Sequence, residues 1–310
     1  MIQKLKRFLL VPLAVVLSIV SLAAPLGVFH WLGDTLAMPI DYYTWILLGL
    51  LGVFGALRAW RWAIFVGVVV LINGWTLTNY VGVAAAPQAN TPRDLRVVVY
   101  NMYHLNQDLN AAIAEARRYD ADLIFLMEYS DAINQQVTAA FADYPYQLIR
   151  PSRFTMGLAL FSRIPFDDAQ VHRFEATRIP IYQVQVQVAG QPISFVGGHP
   201  WPPQPQWGEL HRNQMLEITR IAANAPKPLI VAGDFNAAPW SHVMRNLATE
   251  AGVRQVRETF DLRKTWFGLP LISLPLDHVL VSDEWQVLNF QYGAASGSDH
   301  LPIVIDLRLR

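Results

Sequence analysis

Hydropathy divides the chain near residue 92. Before that point the pattern is one of long uncharged apolar runs. Phe8–Phe29 holds no charged residue and, at about 1.5 Å rise per residue, reaches across a hydrocarbon core of about 30 Å. Tyr42–Leu57 is a second, shorter run that a snorkelling Arg58 can extend. Trp62–Tyr80 is a third, with aromatic residues near its ends as membrane interfaces favour. The spacing therefore predicts about three N-terminal transmembrane helices, over 8–29, 42–57 and 62–80, forming an anchor over 1–80. Val81–Asp94, rich in Ala with Pro87 and Pro92, reads as a linker over 81–94.

From residue 95 the runs shorten to strand length. Leu95–Tyr100, Leu123–Met127, Gly157–Phe161, Ile193–Gly198, Leu229–Ala232, Val279–Val281 and Ile303–Leu307 read as buried strands. Tyr146–Ile149 is a further strand, and Ile181–Val188 alternates cleanly, so one of its faces is wet. Helices are expected from the Asp108 cap to about Tyr119, at Ala132–Phe141, over Gln206–Asn224 and near Ser241–Leu247. Strands interleaved with helices predict an α/β domain of packed sheets over 95–310.

Charge sharpens the division. Of 24 basic and 24 acidic residues, residues 1–92 hold five basic and two acidic side chains, leaving 24 − 5 = 19 basic and 24 − 2 = 22 acidic groups, a net of −3, in the remainder. Lys4, Lys6 and Arg7 precede the first run, and Arg58 and Arg61 lie between the second and third. Asp34 and Asp41 occupy the other loop. The positive-inside bias then puts the N-terminus and the Arg58–Arg61 hairpin in the cytoplasm and the C-terminal domain outside it, in a cytoplasmic (inner) membrane protein with a periplasmic domain. A cleaved signal peptide ending near Ser21-Leu22-Ala23 is the competing reading of the first run, and it leaves the domain on the same side. His30 and Asn73 read as interfacial or helix-contact residues, since no buried charge accompanies them. Zero cysteines exclude disulfides and thiolate metal sites.

Polar residues gather where the strands end. Asn101 closes the first strand, Glu128 follows the second and His199 follows Ile193–Gly198. Asp234 and Asn236 end the run Leu229–Gly233, two apart and so on one side of an extended chain, with Gly233 permitting close approach to the backbone. Asp277 opens a strand, and Asp299 and His300 precede the last one. Singly, each is an ordinary turn or strand-end residue. Together they suit phosphate-ester hydrolysis. Carboxylates without thiolates select a hard cation such as Mg²⁺ or Mn²⁺, which polarises a phosphoryl oxygen. A histidine held by a carboxylate deprotonates water, and amides or a second histidine donate to the charged oxygens. Arg163 in Ser-Arg-x-Pro reads as structural, and His278 is expected to point to the opposite face from Asp277.

The ordered set LRVVVYN, DADLIFLMEYS, GLALFSRIP, ISFVGGHP, LIVAGDFNAAP, PLDHVLVS and SGSDHLPI resembles the endonuclease/exonuclease/phosphatase superfamily over about 93–310. The resemblance implies a four-layer α/β sandwich, two packed central sheets flanked by helices, with its site at one rim. It implies Glu128 as the main metal ligand, Asp299 as a further metal-side carboxylate, and Asn101 positioning metal or phosphate. His300 becomes the general base or a phosphate contact, oriented by Asp277. Asp234 aligns the water, Asn236 binds a phosphoryl oxygen, and His199, shared with the deoxyribonuclease and sphingomyelinase branches, contacts phosphate or acts as acid. The implied activity is divalent-metal-dependent phosphodiester hydrolysis.

The substrate class stays open. A nuclease needs a basic face, which a net of −3 disfavours, although nucleic acid is not excluded. Two uncharged loops border the expected site: Pro200–Trp207, with Trp201 and Trp207, and Trp266–Leu276. Their apolar residues are either buried in the fold or form a rim that touches lipid, which would suit a lipid-like or membrane-bound phosphate ester. A catalytically silent binding module on the same fold and a protein whose spans are the working part are the readings from other classes.

Overall fold

Alternation within single strands dictates the layering. The computed structural model describes residues 2–78, 92–174, 178–257 and 262–310, with only the backbone described over 2–8. The N-terminal helices are α1 (Ile2–Leu22), α2 (Trp31–Ala37), α3 (Ile40–Ala56) and α4 (Trp60–Thr78). Then come β1 (Leu95–Asn101), α5 (Leu109–Arg117), β2 (Leu123–Met127), α6 (Asp131–Ala140), β3 (Tyr146–Arg150), β4 (Leu158–Ser162), β5 (Phe166–Arg173) and β6 (Pro180–Val188). The chain continues through β7 (Gln191–Gly198), α7 (Gly208–Asn224), β8 (Leu229–Asp234), α8 (His242–Ala251), β9 (Arg254–Gln255), β10 (Asp277–Val281), β11 (Trp285–Tyr292) and β12 (Ile303–Leu309).

Val97, Val99, Phe125 and Met127 meet Phe195, Ile230, Ala232 and Val279 in a core between two sheets. The intervening Val98, Tyr100, Ile124 and Leu126 pack with Ala112, Ala116 and Val137 of α5 and α6. Val196, Leu229, Val231 and Leu280 do the same with Met215, Ile218 and Met244 of α7 and α8. A period of two therefore sends alternate residues to different layers, and the result is the expected helix–sheet–sheet–helix sandwich. The sheets run β11-β12-β1-β2-β4-β3 and β5-β6-β7-β8-β10-β9. Both are mixed. The β1–β2 and β7–β8 pairs are parallel, each joined by a helical crossover, so all four of these strands end at one rim. On that rim the antiparallel β8–β10 register sets Asp277 directly opposite Asp234.

Two strands, β5 and β11, were not read from the sequence pattern, and the reading at Gly233 is refined. β5 has no alternating pattern because it is a largely exposed edge strand. The periodicity of β11 is broken by a bulge between Val287 and Asn289. At Gly233 the close approach is made by the protein itself: a Cβ there would lie 2.0 Å from the Gly198 carbonyl oxygen, so glycine lets β7 and β8 converge at the rim.

The N-terminal helices α1, α3 and α4 share a core of Ala14, Leu47, Leu50, Phe54, Val66 and Val69, and Asn73 Nδ2 donates to Ser21 Oγ at 3.1 Å. Outward they present Ile19, Trp45, Ile64, Leu71 and Trp75. Leu9–Val28 and Trp60–Thr78 are long and apolar enough to cross a membrane, and α2 with α3, bent by 55°, makes a third if taken as one span. Linker residues 81–91 lie outside the described residues.

The stretch expected to be a plain loop between the first two spans instead docks on the α/β domain. Trp31 covers Gly208, Asp34 accepts from the His242 amide, and Trp240 Nε1 donates to the Ala37 carbonyl at 2.6 Å. Tyr42 hydroxyl donates to the Ser273 carbonyl at 3.1 Å and accepts from its amide at 3.0 Å, while Lys264 pairs with Asp41. Ala37, Met38 and Ile40 join Ala238 and Trp240 in one apolar cluster. Sequence pattern did not disclose this element because its partners lie about two hundred positions away.

The docking is testable at Gly208, where an added Cβ would fall 2.0 Å from Trp31 Cδ2. Gly208→Ala is expected to destabilise the full chain by about 1–3 kcal/mol, the range for overpacking, in denaturant or thermal unfolding. Trp31→Ala in the same chain should relieve part of that loss.

Candidate active site

The rim residues are drawn together by one buried amide. Asn101 Nδ2 donates to Asp234 Oδ2 at 3.0 Å and to Glu128 Oε1 at 3.2 Å, and so bridges carboxylates from the two sheets. The Asn101 carbonyl accepts from Ser298 Oγ at 2.7 Å, and Ser298 Oγ accepts from the His300 amide at 3.0 Å. Asp299 and His300 are thereby held against the end of β1. Glu128, one residue past β2, adopts φ 53° and Asn236 φ 48°, left-handed values that carry strain in non-glycine residues. Asp234 Oδ1 accepts from the Asn236 amide at 2.9 Å, an Asx-turn that aims the other carboxylate oxygen into the site.

His300 sits between two aspartates. Its Nδ1 is 2.7 Å from Asp277 Oδ2 and its Nε2 is 3.6 Å from Asp234 Oδ2. His199 Nε2 approaches the same Asp234 oxygen at 3.5 Å. Asp277 is fixed in turn through its amide, which donates to Thr265 Oγ1 at 3.0 Å, and Asp299 Oδ2 accepts from Trp266 Nε1 at 2.9 Å. Every sequence-predicted site residue thus reaches this rim. Asn236 does so with its amide donating to the Pro200 carbonyl at 3.0 Å, which leaves one amide hydrogen for a ligand.

Burial and charge pull in opposite directions here. Burial lowers the pKa of His300, but the Asp277 and Asp234 carboxylates outweigh it and raise the ring to about 10. His199 follows the same logic: burial depresses it, Asp234 overcomes that, and the net shift is upward. Asp234 shows the converse, since burial raises it while His300 and His199 together hold it well below the ordinary carboxylate range. Burial dominates at Asp277 and Asp299, both raised. His278 instead points away from the rim: its Nε2 meets the Ala237 carbonyl at 2.8 Å, its ring stacks on Phe235, and burial lowers it to about 4. Arg163 is structural, pairing with Asp120 at 2.5 Å and lying over Tyr144.

The site opens into a cavity of about 630 Å³ lined by Glu128, His199, Asp234, Asn236, Asp299 and His300. For a cation, Asp234, Asp277 and His300 offer ligand atoms within 4.8 Å of one another, with the imidazole lying between the two carboxylates. Glu128 and Asp299 face the same cavity, and the buried Asp299 Oδ1 has no hydrogen-bond partner. An unpartnered carboxylate oxygen among oxygen donors fits a hard divalent ion. The buried Asp277 Oδ1 and His199 Nδ1 also lack partners.

Several contributors escaped the sequence reading. His104 donates its backbone amide to Glu128 Oε2 at 2.9 Å and sets Nδ1 2.6 Å from the same oxygen. Its signal was slight, a lone histidine in the loop after Asn101. Thr265 and Trp266 lie in a segment with no strand pattern, and Thr35 and Met38 of the N-terminal helical region line the cavity. Of the two apolar loops, Pro200–Trp207 is part-buried, with Trp201 and Trp207 ring centroids 4.5 Å apart. The other exposes Phe267, Leu269, Leu271 and Ile272.

The sequence model of the Endonuclease/Exonuclease/phosphatase family matches residues 98–300. Among solved structures, D. rerio TDP2 complexed with a single-strand DNA product is similar at 20% identity and TM-score 0.57, over 69% of this chain and 98% of that one. Sphingomyelinase C from Streptomyces griseocarneus is similar at 18% and 0.53, over 70% and 99%. A beta toxin from Staphylococcus aureus with bound magnesium ions is similar at 17% and 0.53, over 69% and 99%. These likenesses show a shared fold.

The titration of His300 has a measurable consequence. The ring holds its proton more tightly folded, at about 10, than at the unfolded value of about 6.5. Its contribution to stability is therefore complete below about 6.5 and lost as pH rises to about 10. In EDTA, the melting temperature of the full chain should fall from pH 7 to pH 10, and His300→Gln should flatten that fall. An equal slope in the variant would assign the loss to other groups.

Proposed function

The chain belongs to the endonuclease/exonuclease/phosphatase family, and from that premise we propose that it is a membrane-tethered, divalent-metal-dependent phosphodiesterase acting outside the cytoplasm. Members of the family are metal-dependent phosphodiesterases, nucleases and phosphatases. The observation that carries the reading is His300 held between Asp277 and Asp234, with Glu128 tied to the same group through Asn101, at the floor of one cavity.

In this reading Glu128 and Asp299 hold Mg²⁺ or Mn²⁺, and Asn101, whose amide nitrogen faces the carboxylates, positions Glu128 and Asp234. The bound ion would neutralise phosphoryl oxygens and the leaving oxygen. Asp234, ionised, accepts a hydrogen bond from the attacking water, aligns it in line with the phosphorus and takes up its proton as the new P–O bond forms. His300 carries a proton at neutral pH, so it acts as the phosphate contact among the two roles the resemblance allows, placing positive charge beside the phosphoryl oxygens. Asp277 fixes that ring. His199, raised by Asp234, gives its proton to the departing oxygen as the old P–O bond breaks. The free amide hydrogen of Asn236 donates to a phosphoryl oxygen.

The tether is supported by docking. α2 lies between α1 and α3 and contacts a domain that follows α4, so α3 and α4, crossing as a pair, leave both on one side. Arg58 and Arg61 favour the cytoplasm for the opposite side. The exposed Leu271 and Ile272 loop, joined to α3 through Tyr42 and Ser273, lies beside the anchor, where it can meet lipid.

Turnover of bis-p-nitrophenyl phosphate, phospholipid vesicles and single- and double-stranded DNA, each with Mg²⁺, Mn²⁺ or EDTA, tests the reading. EDTA should abolish activity, and Glu128→Gln and His300→Ala should each lower kcat/KM by about 10²–10⁴-fold, the range for losing a charged participant. Wild-type rates in either variant would remove its role, and preferred turnover of DNA would make the enzyme a nuclease. Replacing Leu271 and Ile272 by Ser should cut vesicle turnover by about tenfold or more, as loss of buried apolar area implies, while turnover of the soluble diester stays within twofold. An equal loss on both substrates would end the lipid-contact role of that loop.

A further inference from the structure

A second cavity, of about 290 Å³, adjoins the catalytic one and shares Met156 and Trp201 with it as common wall. It is ringed by three arginines: Arg150 at the end of β3, Arg173 at the end of β5 and Arg178 just before β6. It therefore sits over the seam where edge strands of the two sheets meet. Some other arginines are bound to carboxylates, and others, such as Arg212 and Arg245, donate to backbone carbonyls. Arg96, Arg117, Arg118, Arg163, Arg220 and Arg254 each pair with an aspartate or glutamate. Among the described residues none of the three cavity arginines has an acidic partner, and Arg150 donates merely to the neighbouring Ile149 carbonyl. Three exposed guanidinium groups, without acidic partners among the described residues, line one concavity, and their forked donors suit phosphate. On the wall between the cavities, the buried Trp201 Nε1 has no acceptor, a further donor awaiting a ligand.

The catalytic cavity also has an apolar wall. Met38, Leu269 and Leu274 line it, and the Tyr42–Ser273 pair ties the loop carrying the two leucines to the start of α3. The adjoining cavities thus combine apolar surface, the Glu128 and His300 centre and the arginine cluster. A nucleic-acid strand is anionic on both sides of any scissile bond and gains nothing from the apolar wall. A phospholipid matches both features.

Building on the phosphodiesterase reading above, we propose that the arginine cavity is a subsite for a second phosphate, carried by the headgroup of a phospholipid whose phosphodiester lies at Glu128 and His300. The substrate class is then an anionic phospholipid bearing an additional phosphate beyond the bond that is cut.

The test compares two short-chain lipids differing by that one group, dioctanoyl phosphatidylglycerophosphate and dioctanoyl phosphatidylglycerol. Binding to the full chain in detergent micelles is followed by calorimetry in EDTA, so that it is read without turnover. Wild type is expected to bind the phosphate-bearing lipid at least tenfold more tightly. The double variant Arg173→Gln, Arg178→Asn (Asn because Arg178 has φ 58°) should lose most of that preference while keeping its affinity for phosphatidylglycerol. The charge-conserving pair Arg173→Lys, Arg178→Lys should retain part of it. Equal affinity of wild type for the two lipids overturns the proposal, as does an unchanged preference in the double variant. Equal loss of both lipids in that variant would make the arginines structural, and tighter binding of a single-stranded oligonucleotide than of either lipid would make the occupant nucleic acid. Hydrolysis of bis-p-nitrophenyl phosphate by wild type with Mg²⁺ or Mn²⁺ judges the phosphodiesterase reading separately, since the binding preference does not need turnover.

Discussion

The rim depends on the side-chain amide of Asn101. With no exposure to solvent, it donates at once to Glu128 at the end of β2 and to Asp234 at the end of β8, elements of different sheets. Two carboxylates brought this close repel one another, and in a low-dielectric setting the repulsion is large. The amide hydrogens between them, and the Asp234 amide donating to Met127 Sδ at 2.9 Å, let the sheets approach where the apolar core alone would exclude acidic groups. Remove that amide and the two sheets still pack through Val99, Phe125, Phe195 and Ile230, but nothing then holds their polar ends in one place.

Around this tie the protein buries more charge than stability alone would retain. Asp234, Asp277, His199 and His300 are almost wholly enclosed, and charge in such a place is penalised unless it is paired. The pairing is arranged in series: Thr265 holds Asp277, Asp277 holds His300, and His300 shares Asp234 with His199. The consequence is a site in which the pKa values of neighbouring groups are driven apart, the circumstance in which acid and base roles separate. His211 and His278 make the contrast. Equally buried but bonded to backbone carbonyls, both are pushed down to about 4 and serve as neutral framework.

The N-terminal helical region is part of the domain's architecture. Thr35 and Met38 line the cavity of the candidate site, and Thr35 Oγ1 donates to the Pro203 carbonyl at 3.2 Å, so an element from the apolar N-terminal third shapes the wall beside the Trp201–Trp207 pair. Apolar surface that would be a liability on a free domain, notably Trp240 and Ala238, is covered by Ala37 and Ile40. The division at residue 92 that hydropathy marks so sharply is thus not a division of packing.

Much of this was legible in the residues themselves. The unbroken apolar runs of β1, β2 and β8 marked strands buried on both faces, and the clean alternation of Ile181–Val188 marked one with a wetter face. Strand ends betrayed Asn101, Glu128, Asp234, Asp277 and Asp299, since a polar residue after a buried run has to emerge at a rim. His278 was placed away from the site because a strand sends neighbours to opposite faces. Pattern failed where the reason lay elsewhere in space. The exposed edge strand β5 had no buried face to mark it, α2 found its partners about two hundred residues away, and His104 acquired meaning only from Glu128 2.6 Å distant. The protonation of His300 is likewise beyond any local reading, because two carboxylates from separate strands set it. Local periodicity determines what a residue must hide; only the closing of the chain determines which charges end up side by side.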